Sequence, residues 1–524
     1  MRSSILACLA FACGLVHSDC PDYSSYCQQR GRYASSGRYQ LSWQRPDDQN
    51  CRTFKSADLE KVINDYQTVI KDPDLWRLFE NTISNTLDTA IKWRGHAADN
   101  SAEELTFIIT GDLNAMWLRD SANQMQSYIS LLKADSGSES IASLYRGVIN
   151  LQARYLLTSP YCNSFQAPAE SNIGPAQNWA ANQDTVKPSY DSAKVFECKF
   201  ELDSLAAFLE IGANYYNRTG DIDFFGKFKW VSAIQAVMGV ASAMMQPMYD
   251  PSGRVLDSAY TFTRSTTRTT ETLANNGLGH PAASGTGLIR SAFRPSDDST
   301  TFQLLIPANM MFARNLELTA TIVAKLGSKA PAGLADQMSS MAASLRQAIT
   351  KYGIIPVTGR DGSIEKVYAY EVDGFGSSLI MDDANIPSLL SAPFFGYLSA
   401  NDTVYQATRA RILDKGDAGV NGNPYFMRGP VINAVGGPHA GPGRAWPMAS
   451  IVRILTSDDD AEITSTLKEL LTSTDNLGLM HESINTFDQG DWTRQWFSWA
   501  NGLFGQMIID LASRKPQLLQ QSFQ

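Results

Sequence analysis

From Ser56 onward, apolar residues recur at spacings of three and four through most of the chain. Ala57–Lys71 and Asp74–Arg94 carry the pattern clearly. An amphipathic helix is the element that gathers such positions on one face. The same period runs through 117–133, 138–157, 193–216, 222–246, 303–326, 333–352, 403–413, 445–456, 459–473 and 492–513, so the pattern predicts about twelve helices. Sustained alternation of strand and helix is absent, which argues against a doubly wound sheet.

The connections 158–192, 248–301, 353–402 and 414–444 are long and rich in Gly, Pro, Asp and aromatics. Loops of that length are usually functional or hold small strands. Lys366–Tyr370 and Arg254–Phe262 read as short strands within them. No repeat and no low-complexity linker divides the chain, which favours one large domain. Helices in succession with elaborate loops fit an all-α toroid, an inner ring of helices inside an outer ring. Inner helices of such a ring are apolar all round, and 193–216 has that character.

Composition adds limits. The 524 residues are 44% hydrophobic and 19% charged, as in ordinary globular proteins. A formal charge of −9 argues against a nucleic-acid partner, which requires a basic stripe. The first residues read as a secretory leader: Arg2, a short apolar run Ile5–Val16, and small residues at Val16 and Ser18. Beyond them no run is long and apolar enough for a membrane span. The expected layout is a signal peptide over 1–18, an N-terminal arm over 19–55 and a catalytic domain over 56–524. Sequons at Asn217 and Asn401 agree with a secreted glycoprotein. Cys20, Cys27, Cys51, Cys162 and Cys198 follow the leader, an odd number in an oxidising compartment. Their spacing matches no usual zinc pattern, and their pairing cannot be read from the sequence.

The chemistry concentrates in six stretches. Gly478–Gly505 carries His481, Glu482, Asp488 and Asp491 ahead of Trp492, Trp496, Phe497 and Trp499. Acids and aromatic faces together suit a sugar, hydroxyls to the acids and C–H faces to the rings. If 193–216 is one helix, Phe196, Phe200, Asp203 and Ala207 share a face. Asp203 is then a buried acid whose raised pKa suits a proton donor. The alternative is an interior Asp paired with a basic residue. Thr110–Gln124 places Trp117, Arg119 and Asp120 at a helix mouth, either gripping a polyol or forming an internal ion pair. Phe293–Asn309 holds Arg294, Asp297 and Asp298 before a helix, where acids favour the helix dipole. Tyr370–Pro387 offers Asp383 and Asn385 without EF-hand spacing, and Gly436–Pro447 offers His439 and Trp446. GxSxG, HExxH and Walker patterns are absent. Two-carboxylate glycoside hydrolysis is the reaction class that best uses what remains.

Taken in order, the blocks GDLNAMWLRDSANQ, KFELDSL, GLIRSAFRPSDDS with LIPANM, YEVDGFG with MDDANIPSLLS, GGPH with the later WP, and GLMHES with WFSWANGLFG resemble glycoside hydrolase family 125, the exo-α-1,6-mannosidases. The resemblance runs from about residue 107 to 509 and leaves the 19–55 arm outside. It implies an (α/α)6 barrel with long loops and short β segments at the active-site end. It also implies a metal-independent, cofactor-free enzyme that removes terminal α-1,6-linked mannose with inversion. The family's general acid falls on Asp203 and its general base on Glu482, with water as the nucleophile and an α-mannoside oligosaccharide or glycan as the substrate. An inverting pair stands about 6.5–9.5 Å apart to admit that water. Trp117, Arg119, Asp120, His439 and His481 are expected to wall the mannose pocket, with Asp298, Asp383 and Asn385 beside them. Arg290 and Ile484 depart from the family blocks and are expected to edge the aglycone side. Two alternatives stay open: an inverting α-glucosidase or trehalase-like enzyme on the same barrel, and an inactive mannoside-binding protein.

Overall fold

A computed structural model describes residues 20, 22–416 and 422–524. The expected leader lies outside the described residues. Twelve helices of nine residues or more form among those described, one for each helical segment expected from the periodicity. Their ends differ in ways that matter. The segment 74–94 stops being helical at Ala90, and Ile91–Ala97 pairs with Asn100–Ile108 as an antiparallel hairpin. The β-branched and aromatic residues of Leu105–Ile109 suit a strand, with one face buried against the helix Ile141–Thr158. The segment 193–216 divides into a strand, Val195–Glu197, and a helix, Leu202–Thr219. Phe196 and Phe200 therefore do not share a helix face with Asp203, and the periodicity argument for that face fails. In 492–513 the helix begins only at Ser498. Of the two strands expected, Lys366–Tyr370 appears as Ile364–Tyr368 and Arg254–Phe262 is displaced to Thr261–Arg264.

Ten of the twelve helices fall into two kinds. Ala57–Val69, Pro73–Asn85, Ile141–Thr158, Thr403–Ile412 and Asp460–Thr472 are capped by the side chains of Ser56, Asp72, Ser140, Asp402 and Asp459. Each cap satisfies amide groups that the first turn leaves without partners. Leu118–Gln126, Leu202–Thr219, Ile306–Lys325, Pro447–Leu455 and Ser498–Arg514 have no side-chain cap and are largely buried. Their first amides reach across to neighbouring segments instead. Leu118 N donates to Asn163 O at 3.0 Å and Ile306 N to Tyr370 O at 2.9 Å; Leu202 N donates to Ser291 Oγ at 3.0 Å.

These uncapped helices contact one another in sequence. Leu118–Gln126 packs on Leu202–Thr219, which packs on Ile306–Lys325. Ser498–Arg514 packs on both Leu118–Gln126 and Pro447–Leu455. Its close approach depends on small residues. A Cβ at Gly502 would stand 2.3 Å from Ser127 Oγ, and one at Gly505 would stand 2.6 Å from Ile83 Cδ1. The capped helices Pro73–Asn85 and Asp460–Thr472 lie against this set.

Short strands precede most of the uncapped helices: Met116–Trp117 before Leu118, Leu304–Leu305 before Ile306 and Arg444–Ala445 before Pro447. Each belongs to a small three-stranded sheet. These sheets join the long loops to the N-terminal ends of the buried helices, and the candidate site is built there. No described helix is long and apolar enough to cross a membrane.

The arm is irregular apart from a turn at Tyr23–Tyr26 and a 3-10 turn at Gln49–Cys51. It runs under the Thr474–Gly478 loop, with Ser42 N donating to Asn476 O and Gln44 Nε2 to Leu477 O. Disulfides join Cys20 to Cys51 and Cys162 to Cys198. Cys27 is buried and enters neither bridge.

Candidate active site

A pocket opens where the N-terminal ends of Leu118–Gln126, Pro447–Leu455 and Ser498–Arg514 meet the loops around 295 and 482. Trp117, Trp446 and Phe497, the residues just before those three helices, line it. Exposure falls along its wall from 42% for the Asp112 side chain to 29% for Arg494 and 3% for Arg119. The mouth is thus at Asp112 and Arg494, and the floor at Arg119.

Several polar atoms on this lining are buried without a hydrogen-bond partner in the protein. Among the described residues these are Thr110 Oγ1, Trp117 Nε1, Asn385 Nδ2 and Trp446 Nε1, while Arg119 Nε and Asp120 Oδ1 face each other at 3.3 Å. Buried polar groups are normally satisfied, because leaving one unpaired costs about 1–3 kcal/mol. Four such atoms around one pocket, three N–H donors and a hydroxyl, suit a small molecule dense in hydroxyls. The Trp117 ring, packed edge-on against Phe196 at 5.4 Å, adds an apolar wall.

Arg119 organises the floor. Its Nη1 donates to Glu201 Oε2 at 2.6 Å and to Asp203 Oδ2 at 3.0 Å; its Nη2 donates to Asp297 Oδ1 at 3.4 Å. Asp120 Oδ1 lies 3.3 Å from its Nε. Asn163 Nδ2 reaches both Glu201 Oε1, at 3.0 Å, and Asp297 Oδ1, at 3.3 Å. Four carboxyls thus surround one guanidinium. Burial pushes Glu201 and Asp203 above their ordinary range against the pull of Arg119, and burial also raises Asp120 to about 6. At Asp297 desolvation works in the same direction, but Arg119, Lys199 and a hydrogen bond from Glu201 outweigh it and hold this carboxyl low.

The expected residues divide. Trp117, Arg119, Asp120, His439, Asn385 and Glu482 all line the pocket. Asp203 does not. Its side chain is fully buried behind Arg119 and reaches the pocket only through that guanidinium, which is the ion-pair alternative for this residue. Asp297 is on the wall instead. It sits in a tight turn at φ 65°, with its amide donating to Arg294 O and its carbonyl receiving Lys199 Nζ at 2.8 Å. A left-handed residue other than glycine is a strained conformation that persists where surrounding contacts enforce it, commonly at functional sites. The dipole explanation for this acid lapses, since the helix starts only at Ile306.

His481 is a correction. It is fully buried outside the lining, its ring stacked on Trp492 at 5.0 Å and 4°, with Nδ1 3.3 Å from Arg494 O. It supports the loop that presents Glu482. Asp298 and Asp383 are also buried behind the wall. Asp298 faces His439 Nδ1 at 3.6 Å, and Asp383 accepts from Ser296 Oγ at 2.6 Å. His439 is half-buried. Burial opposes its charge, but Asp298 prevails and raises it to about 9. Arg290 and Ile484 do not edge the site. Arg290 is buried and bonded to Met244 O, and Ile484 packs in an apolar cluster with Met427 and Ile432.

Glu482 is held from both sides. Thr493 Oγ1 donates to Oε2 at 2.8 Å and Arg494 Nε to Oε1 at 3.0 Å. Arg494 also grips Asp112 through Nη1 at 2.5 and 2.6 Å. Neither Arg494 nor Glu201 stood out in the sequence. Both adjoin singled-out residues, Glu201 within KFELDSL and Arg494 beside Trp492, and that adjacency was the available signal.

Residues 72–509 match the family of metal-independent alpha-mannosidases, GH125. The meiotically up-regulated gene 157 protein of Schizosaccharomyces pombe (strain 972 / ATCC 24843) is 45% identical over 506 residues, 96% of this chain and 94% of that protein. A solved Streptococcus pneumoniae structure, from work on a family of metal-independent alpha mannosidases, is a non-productive complex with alpha-1,6-mannobiose. It is 31% identical, covers 88% of this chain and 99% of its own, and superposes with a TM-score of 0.74.

Proposed function

Since the chain belongs to the GH125 family of metal-independent alpha-mannosidases, we propose that it is an exo-acting enzyme releasing terminal α-1,6-linked mannose with inversion. The observation that carries this reading is the pocket. It has a floor at Arg119, polar groups without a protein hydrogen-bond partner among the described residues, and four carboxyls on its wall, Asp112, Asp120, Asp297 and Glu482. The likeness to the mannobiose-bound Streptococcus pneumoniae protein supports the linkage. We read the fold as an (α/α)6 barrel, a reading supported by the buried helices that pack on one another.

Glu482 is the base. Thr493 and Arg494 fix its two oxygens, so that it is oriented to take a proton from the attacking water. We place the proton donor at Asp297 rather than at Asp203. A donor must reach the glycosidic oxygen, and Asp203 is screened from the pocket by Arg119. Asp297 is itself held low, so the proton of its contact with Glu201 rests on Glu201, whose pKa burial raises, and passes through Asp297 as the leaving oxygen takes it up. Protonation of the leaving oxygen, bond cleavage and attack by water on the opposite face then complete one inverting displacement.

The two disulfides and the exposed Asn217 and Asn401 support an oxidising, secretory location. Release of mannose from linkage-defined mannobioses, with NMR following the anomer first formed, tests the function. β-Mannose from the α-1,6 isomer is expected, with activity unchanged by chelators. Glucose release from α-glucosides, or binding without turnover, sinks the reading in favour of the alternatives.

A further inference from the structure

A pocket that takes in one end of a chain must let the rest leave through its mouth. Beyond that mouth lies a second cavity of about 580 Å³, and Asp112 belongs to the walls of both. One side of this cavity is the 109–114 loop with Asn114, together with Lys92 of the hairpin. The other is the N-terminal arm, with Asp22 and Tyr23. The arm precedes residue 72, where the family match begins. It is closed by Cys20–Cys51 and docked by Tyr23, whose ring meets Trp496 edge-on at 5.0 Å. Gly111 backs onto the same indole, and a Cβ there would stand 3.0 Å from it. The cavity therefore has fixed walls.

We propose that this cavity is an aglycone groove. In it the arm and the 109–114 loop bind the reducing-side mannose units of a longer α-mannoside. The inference rests on the exo-mannosidase reading. Two features carry it. The groove adjoins the mouth, with Asp112 on the walls of both. Lys92 and Asn114 are exposed, with no side-chain hydrogen bond or ion pair to other described residues, so both can meet hydroxyls.

The test compares wild type with a Lys92→Ala/Asn114→Ala double variant on α-1,6-mannobiose and α-1,6-mannotetraose. Wild type is expected to show kcat/KM about tenfold higher on the tetraose, as two ordinary hydrogen bonds supply. The variant is expected to lose that gain while hydrolysing mannobiose normally. Equal kcat/KM on both substrates in wild type, or a gain retained by the variant, overturns the groove. No mannose release from mannobiose overturns the function instead. Calorimetry on Glu482→Gln chains with and without the double substitution reads the groove without turnover. Tetraose is expected to bind about tenfold tighter than biose only when Lys92 and Asn114 are present, and equal binding overturns the proposal.

Discussion

Arg119 stands between Asp203 and the pocket: its Nη1 is 3.0 Å from Asp203 Oδ2, and Asp203 has no exposed surface. An acid in that place can tune the guanidinium and the floor but cannot touch a glycosidic oxygen. Asp297→Asn is therefore expected to lower kcat on α-1,6-mannobiose by about 10³-fold or more, and Asp203→Asn by about tenfold. An aryl mannoside whose leaving group needs no proton separates the roles. It should recover much of the Asp297→Asn loss and none of the Asp203→Asn loss. Recovery in Asp203→Asn alone would return the donor to Asp203.

A base at Glu482, as proposed, acts on water whatever the leaving group. Glu482→Gln is expected to lose about 10³-fold in kcat on both mannobiose and the aryl mannoside. Thr493→Val removes one of the two groups that orient this carboxylate. A smaller fall in kcat, about tenfold with KM little changed, is expected in steady-state kinetics.

His439 gains from Asp298 a raised pKa of about 9. The stability from this pair is complete below the unfolded value of about 6.5 and is lost as pH rises through about 9. Denaturant midpoints at pH 6.5 and 9 should converge for His439→Asn and wild type at the upper value, with wild type ahead at the lower.

His481 behaves oppositely. Burial lowers it to about 4, so its neutral form is favoured above about 6.5, and that stability is lost as pH falls toward 4. Between pH 7 and pH 5 wild type should lose about 2 kcal/mol more than His481→Gln, measured by urea unfolding. An equal loss in both would show that His481 is not the group responsible.

The sequence by itself determined the helices and the chemistry-bearing loops. Periodicity of three and four reports burial of one face, so every long helix left a trace. Glu482, Trp117, Arg119, Asp120, His439 and Asn385 were legible because ordered blocks carry them, and all six line the pocket. Local pattern failed where partners decide. Val195–Glu197 reads as part of a helix, yet it becomes a strand because Ser164–Phe165 pairs with it. Asp203 and Asp297 both lie in sequence blocks that resemble the family, KFELDSL and RPSDDS. Which one faces the pocket follows from Arg119, whose guanidinium gathers residues 120, 201, 203 and 297. Only the tertiary structure sets that order, because burial and charge pairing are properties of residues brought together from distant parts of the chain.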